Sequence, residues 1–208
     1  MNMFIFTPST LALLNNYNRF VGNTEDMNPT EKQETWTFMR AISSTGPINE
    51  LHKYLVKKGM ASTSMNVFIQ ELYKMWFYRY KRLGYRDSSG FEHVFVGEIS
   101  RGVVSGFHNW LQLYYLERNN QVDYRGFLKY YNVEPSRVKL QIFWGKYKKA
   151  VTSLFLGTSP EFDIALYTLC FLVNPGKSCS CRINGENIPV TTHSYYGGKF
   201  VGSAYVRI

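Results

Sequence analysis

The stretch from Gly90 to Trp110, GFEHVFVGEISRGVVSGFHNW, constrains the fold more than any other part of the chain. Apolar, β-branched and aromatic residues flank a turn signal, Ser100-Arg101-Gly102, and the whole reads as a β-hairpin. Two of the four histidines lie on it. A two-residue loop at Ser100-Arg101 sets Ile99 opposite Gly102 and His93 opposite His108, with opposed Cβ atoms roughly 5 Å apart. A three-residue loop with Gly102 in a bulge shifts the register by one and makes the imidazoles diagonal neighbours. Either register brings two imidazoles to one small site. Regular alternation places Glu92 and Glu98 on the face opposite His93, in supporting or structural roles. A His/carboxylate metal site built from the same four residues is the alternative, and the alternation counts against it.

Helical periodicity precedes this stretch. Pro8–Tyr17 is a short apolar segment, and Asn28-Pro29-Thr30-Glu31 opens a helix, with Thr30 and Gln33 spaced as a capping box. Trp36, Phe38, Met39 and Ile42 form its stripe, and Gly46-Pro47 breaks it. Ile48, Leu51, Tyr54 and Leu55 mark the next helix, closed by Gly59. Ser64 starts a third, with Val67, Phe68, Leu72, Met75 and Trp76 inward; His52 reads as surface or packing. The loop Gly84–Gly90 is the natural boundary between a helical lobe, 1–87, and a lobe rich in strands, 88–208. Beyond the hairpin, Asn109–Asn119 reads as a helix with Trp110, Leu111, Tyr114 and Tyr115 on its apolar side. Strands are predicted at Tyr124–Tyr131, Val138–Trp144 and Val151–Leu156. Ser159-Pro160 opens a helix over Phe162–Val173. Asn184-Gly185 joins strands Ser178–Ile183 and Ile188–His193, and Phe200–Val206 is the last strand. Helices first and antiparallel strands later predict an α+β fold.

The formal net charge of +9 suggests an anionic partner, of which nucleic acid is the commonest soluble kind. Lys74–Arg86 carries five cations and no acid, interleaved with Trp76, Phe77, Tyr78, Tyr80 and Tyr85. Such a run can bind phosphates and stack bases, or can be core aromatics behind a solvated face. The three cysteines form no disulfide framework, and Cys179-Ser180-Cys181 lacks the second pair of a zinc site. Cys170, in an apolar run, is expected to be a buried thiol. Met1–Phe6 lacks the parts of a signal peptide, and no stretch approaches the roughly 18 apolar residues of a membrane span. An intracellular protein is expected, or a secreted one if a signal was removed from a longer precursor.

Two facing imidazoles suit acid–base chemistry near neutral pH. RNA offers the matching reaction: a base takes the 2′-hydroxyl proton, the oxygen attacks phosphorus, and an acid protonates the departing 5′ oxygen. A fixed cation would stabilise the phosphorane, and Lys146, Lys148 and Lys149 are candidates. Packing, or a pH-dependent contact, is the plain alternative for the histidines.

The chain resembles the poly(U)-specific endoribonuclease family, the XendoU type. The resemblance rests on Ser88-Ser89-Gly90-Phe91-Glu92-His93-Val94-Phe95 with Gly97-Glu98, and on Ser105-Gly106-Phe107-His108-Asn109-Trp110. Gly157-Thr158-Ser159-Pro160-Glu161-Phe162 with Ala165-Leu166-Tyr167, and Phe200-Val201-Gly202-Ser203-Ala204-Tyr205, add to it. Leu13-Leu14-Asn15-Asn16-Tyr17, Thr30-Glu31-Lys32 and Lys53–Gly59 extend it over nearly the whole chain. The resemblance implies cleavage of single-stranded RNA at uridylates, leaving a 2′,3′-cyclic phosphate. It implies His93 as general acid, His108 as general base and Lys149 as the third catalytic residue, with Glu92 and Glu98 functionally sensitive. A more distant similarity, to nidoviral uridylate-specific endoribonucleases, implies a backbone donor at Gly106 and uridine contacts at Ser153, Ser203 and Tyr205. The family resemblance itself further implies a divalent ion, manganese or calcium, whose ligands the sequence leaves unknown. A monomer is expected, with no membrane partner. Domains of this family usually begin several dozen residues earlier, so the start of the domain is expected to be missing. A non-cleaving RNA-binding protein on the same scaffold is the alternative.

Overall fold

The computed structural model describes residues 8–208. Met1–Phe6, weighed above as a signal, lie outside the described residues. Four helices come first: α1 Pro8–Leu14, α2 Pro29–Ser43, α3 Gly46–Lys57 and α4 Met65–Phe77. The capping box of α2 is Asn28 with Glu31, not Thr30 with Gln33: each residue's backbone N–H donates to the other's side chain at 3.0 Å. The reason is Pro29, which takes the first helical turn, where its missing N–H costs nothing. Gly59 follows α3 with φ +67°, and its N–H donates to Val56 O. In α4, Val67 is exposed rather than inward, because the buried stripe runs through Phe68, Ile69, Leu72 and Trp76.

The hairpin differs from its expected form. Residues Glu92–Val96 are a buried π-helix, closed by Gly97 N–H donating to Glu92 O. A short apolar run buried on every side has no alternation, so strand and helix cannot be told apart from it. The ladder is therefore only β1 Glu98–Ser100 with β2 Val103–Ser105, pairing Ile99 with Val104. Its loop is Arg101-Gly102, both at positive φ, the type I′ geometry that suits strand twist. Neither expected register occurs, and the two histidines fall outside the ladder.

Helix α5, Trp110–Arg118, is capped by Asn109, whose side chain accepts from the Leu111 and Gln112 N–H groups. Its buried side is Leu111, Gln112, Leu113 and Leu116; Tyr114 and Tyr115 face outward, contrary to the apolar stripe expected from composition. Strands β3 Val122–Tyr131, β4 Arg137–Trp144 and β5 Tyr147–Phe155 make an antiparallel sheet. The last of these starts four residues before the predicted Val151, since Gly145 at φ +57° turns the chain directly from β4 into β5. Helix α6 Pro160–Val173 leads to a second sheet, β6 Ser178–Ile183, β7 Glu186–Tyr195 and β8 Phe200–Val206. Asn184 and Gly185, both at positive φ, form its first turn as expected.

One hydrophobic core packs α1–α4 against α6, the π-helix and β7–β8. A second holds Ile99, Val104, Phe107 and α5 against the apolar face of β4. The π-helix thus sits in the larger core and its hairpin in the smaller one. On the larger core's side Trp76 Nε1–H donates to Thr168 Oγ1 and Tyr80 OH to Val201 O, joining α4 and the segment after it to α6 and β8. The packing of α6 on β6 brings Cys170 to Cys179, and the two form a disulfide, so Cys170 is not a free buried thiol. Among the described residues no helix is long and apolar enough to cross a membrane.

Candidate active site

His93 is held on the π-helix, and its Nδ1 lies 2.6 Å from Glu98 Oε2. Expected on the opposite strand face, Glu98 instead sits directly behind the imidazole, because the chain leaves the π-helix through Gly97 and turns back. Ser88 Oγ also donates to Glu98, and Arg82 Nε is 3.4 Å away. Arg82 is in turn fixed by Ser88 Oγ, Tyr80 OH and Gly202 O. Burial raises the Glu98 carboxyl, but His93, Arg82 and Ser88 outweigh it and leave it below its ordinary value. For His93 burial dominates and lowers the imidazole pKa, opposed by Glu98 and assisted by Arg82 and Lys149.

His108 has a different support. Its Nδ1 is 3.0 Å from Ser153 O and 3.1 Å from Thr152 Oγ1. A carbonyl can only accept, so Nδ1 carries the proton and a neutral ring presents a bare Nε2. The Thr152 hydroxyl donates to Phe107 O, 2.6 Å away. Burial, then Lys149 and His93, hold the His108 pKa well below its ordinary value. The segment before it depends on Gly106, at φ +63°: a Cβ there would lie 1.9 Å from His93 O. This close approach lets Phe107 N–H donate to His93 O and His108 N–H to Val94 O, tying the two histidine segments together.

Lys149 lines the same cavity, and burial lowers its pKa to about 8, with Glu98 opposing. Lys146 and Lys148 are exposed and do not line it. The cavity has a volume of about 640 Å³ and opens between the two sheets. His93, Gly106, His108, Ser153, Ser203 and Tyr205 all line it, together with Lys149. Tyr205 stacks on His108 at 4.9 Å between ring centroids and lies 6.0 Å from His193. Ser153 Oγ donates to Val206 O, joining β5 to β8. Glu92 is not part of the lining; it is fully buried, neither carboxylate oxygen has a partner, and burial with Glu98 and Glu25 holds its pKa well above the ordinary value.

Among the cavity residues that escaped the sequence reading are His193, Lys139 and Arg207. His193 sits alone at the end of a strand pattern, and its pairing with Ser203 shows only in the register. Arg82 was visible only as one cation in a basic run. That run divides: Trp76, Phe77 and Tyr80 are core, Arg82 underlies the site, and Tyr78 and Tyr85 are exposed.

The cavity does not offer a divalent ion a ligand set. Its lining includes Arg82, Lys139, Lys149 and Arg207, and its nearest carboxylate, Glu98, is already engaged by His93, Ser88 and Arg82. Among the described residues the sulfurs of Cys170, Cys179 and Cys181 lie close together, but two of them are joined in the disulfide, which leaves the Cys181 thiol as the one free sulfur of the group.

The family model for "Endoribonuclease XendoU" matches residues 6–206. The chain belongs to the endoribonuclease XendoU family. It is 42% identical over 205 residues to a uridylate-specific endoribonuclease of Paralichthys olivaceus, covering 94% of this chain and 53% of the relative. Against uridylate-specific endoribonuclease B of Danio rerio the identity is 40% over 203 residues, covering 94% and 72%. The chain therefore spans about half the length of curated relatives such as the first. The solved structure of XendoU, described as a splicing-independent snoRNA-processing endoribonuclease, superposes with a TM-score of 0.82 at 36% identity, covering 95% of this chain and 76% of that one. A XendoU fold explains the helix-first, sheet-later order and the α+β class expected above.

Proposed function

We propose that this chain cleaves single-stranded RNA at uridylates by attack of the 2′-hydroxyl. The observation that carries the reading is the unequal support of two imidazoles in one cavity: His93 on the Glu98 carboxylate, His108 on the Ser153 carbonyl. Environments that separate two like groups assign the acid and the base. His108 Nε2 takes the 2′-hydroxyl proton, the 2′ oxygen bonds to phosphorus, and the P–O5′ bond breaks. His93 Nε2–H then delivers a proton to O5′, leaving a 2′,3′-cyclic phosphate and a 5′-hydroxyl. Glu98 holds the His93 ring and favours its charged form, and Lys149 stabilises the charge that builds on the phosphorane. The Gly106 N–H is a further donor to that oxygen.

Uridine binding falls to the residues around His108. The Tyr205 ring offers a stacking face, and Ser203 contacts the base edge. Ser153 Oγ gives its own proton to Val206 O, so towards a ligand it is an acceptor. Uracil presents an N3–H donor where cytosine presents a lone pair, so an acceptor there favours uridine. Glu92 acts from behind, as part of the buried acidic group around Glu98. The manganese or calcium ion that the resemblance implies finds no set of protein ligands in this cavity. The chain acts as a monomer. Mapping cut sites and end groups on a defined RNA tests the reading: cuts at uridylates with cyclic phosphate ends support it, and cuts at cytidylates and purines at equal rates overturn it.

A further inference from the structure

The sheet β3-β4-β5 has two faces of different character. On β4, Val138, Leu140, Ile142 and Trp144 are buried in the smaller core, so Arg137, Lys139, Gln141 and Phe143 point the other way. Directly opposed residues of an antiparallel ladder share a face. The register therefore carries this outer face across the sheet: Ser153 opposes Lys139, and Lys139 opposes Lys129 on β3. Ser153 and Lys139 line the catalytic cavity. The outer face is thus continuous with that cavity and runs from it to the free edge of β3.

Cations and aromatic rings alternate on this face. Tyr131 opposes Arg137, whose guanidinium lies 4.8 Å from the Tyr131 ring centroid, with the Lys129 ammonium at 4.9 Å. Further along, Phe143 opposes Lys148, and the Arg125 guanidinium lies 5.3 Å from its ring. The positions 137 to 143 span about 20 Å of strand. Asp123, 2.8 Å from Arg125, offsets one of these charges. Arg137 is buried with no acceptor for Nε or Nη1, and Glu186 stands 3.9 Å away, so its charge is weakly offset. Positive charge that tracks a backbone, interleaved with rings that take stacked bases, is the pattern of a single-strand binding surface.

We propose that the outer face of β3-β4-β5 is the track on which single-stranded RNA flanking the scissile nucleotide lies, its phosphates on Lys129 and Lys139 and a base on Tyr131. The position of the cut rests on the endoribonuclease reading; the binding does not. Lys129 is exposed and Tyr131 is half-buried at the sheet edge, outside the cavity, so their variants leave the reacting groups in place.

The test uses the full chain, a long oligouridylate, the dinucleotide UpU, and a long oligo-2′-deoxyuridylate that cannot undergo 2′-hydroxyl attack. Lys129→Ala with Tyr131→Ala should weaken binding of the deoxy-oligomer about tenfold or more, by loss of a stacked base and a phosphate contact. Lys129→Ala alone should flatten the log K against log salt slope by about 0.7. The double variant should raise KM on the long RNA with kcat unchanged, leave UpU cleavage unchanged, and be rescued by Lys129→Arg with Tyr131→Phe. Equal losses on UpU and long RNA, or undiminished binding of the deoxy-oligomer, would overturn the track. Binding that depends on Lys129 and Tyr131 without any RNA cleavage would sink the endoribonuclease reading and leave the track standing.

Discussion

Among single side chains, the two imidazoles differ mainly in what stands behind Nδ1: a carboxylate 2.6 Å from His93, a carbonyl 3.0 Å from His108. Glu98 opposes the lowering of the His93 pKa by burial, and His108 has no such partner, so His108 is the more strongly lowered. The kcat/KM profile should then be bell-shaped, its acid limb set by the pair's protonation at His108 and its basic limb by proton loss at His93. Glu98→Gln removes the attraction and the anionic hydrogen bond that raise the His93 pKa, so the basic limb should move to lower pH; a limb that stays or moves up contradicts the assignment. Lys149→Ala should lower kcat/KM by roughly 10²–10³, and Lys146→Ala by less than about twofold. Comparable losses would show that the buried lysine is not the phosphorane cation. Charge and spacing offered three lysines without a choice, and the family resemblance implied Lys149; of the three, Lys149 alone lines the cavity.

At the level of elements, the hairpin shows what local pattern can and cannot carry. Its existence was legible in the apolar residues around Ser100–Gly102, and so was the convergence of two histidines. Its register was not, because the turn takes Arg101-Gly102 rather than Ser100-Arg101, and its extent was not, because residues 92–96 form a π-helix whose five residues are all buried. The same ambiguity hid the Glu98 contact, which exists because the strand does not extend back to His93. The later hairpin at Asn184-Gly185 was legible, since that dipeptide tolerates positive φ at both central positions. Two glycines of the first hairpin segment separate turn chemistry from site chemistry. Gly102 has positive φ and open space around a hypothetical Cβ, so Gly102→Ala should cost about 1 kcal/mol in stability and leave activity intact. Gly106→Ala sets a methyl group into His93 O and should abolish activity even in whatever fraction remains folded. Chemical denaturation and turnover, measured on both variants, check this; similar behaviour of the two would contradict the close approach.

Over the whole molecule, the site lies where the two cores and two sheets meet. The helices, the α+β class and β8 were legible from periodicity and turn residues. The cavity was legible only through the family resemblance, because it takes His93 from the π-helix, His108 from the segment before α5, Lys149 from β5 and Tyr205 from β8, and nothing local encodes their meeting. Stability carries a second signature of this packing. Asp163 is buried on α6, and burial, opposed by Thr158 and Asn109, raises its pKa to about 7. An unfolded aspartate titrates near 3.9, so between about pH 4 and 7 the folded chain holds a proton that the unfolded chain has released. Stability should fall as pH rises through that window, and Asp163→Asn should reduce the fall; Tm measured at pH 5 and pH 8 reports it, and an unchanged pH dependence would contradict it. In the proposed mechanism the RNA supplies its own nucleophile. The most direct measurement compares cleavage of one RNA containing a single uridylate with the same RNA carrying 2′-deoxyuridine at that position. A cut with a 2′,3′-cyclic phosphate end is expected in the first and none in the second; equal cleavage of both would contradict attack by the 2′-hydroxyl.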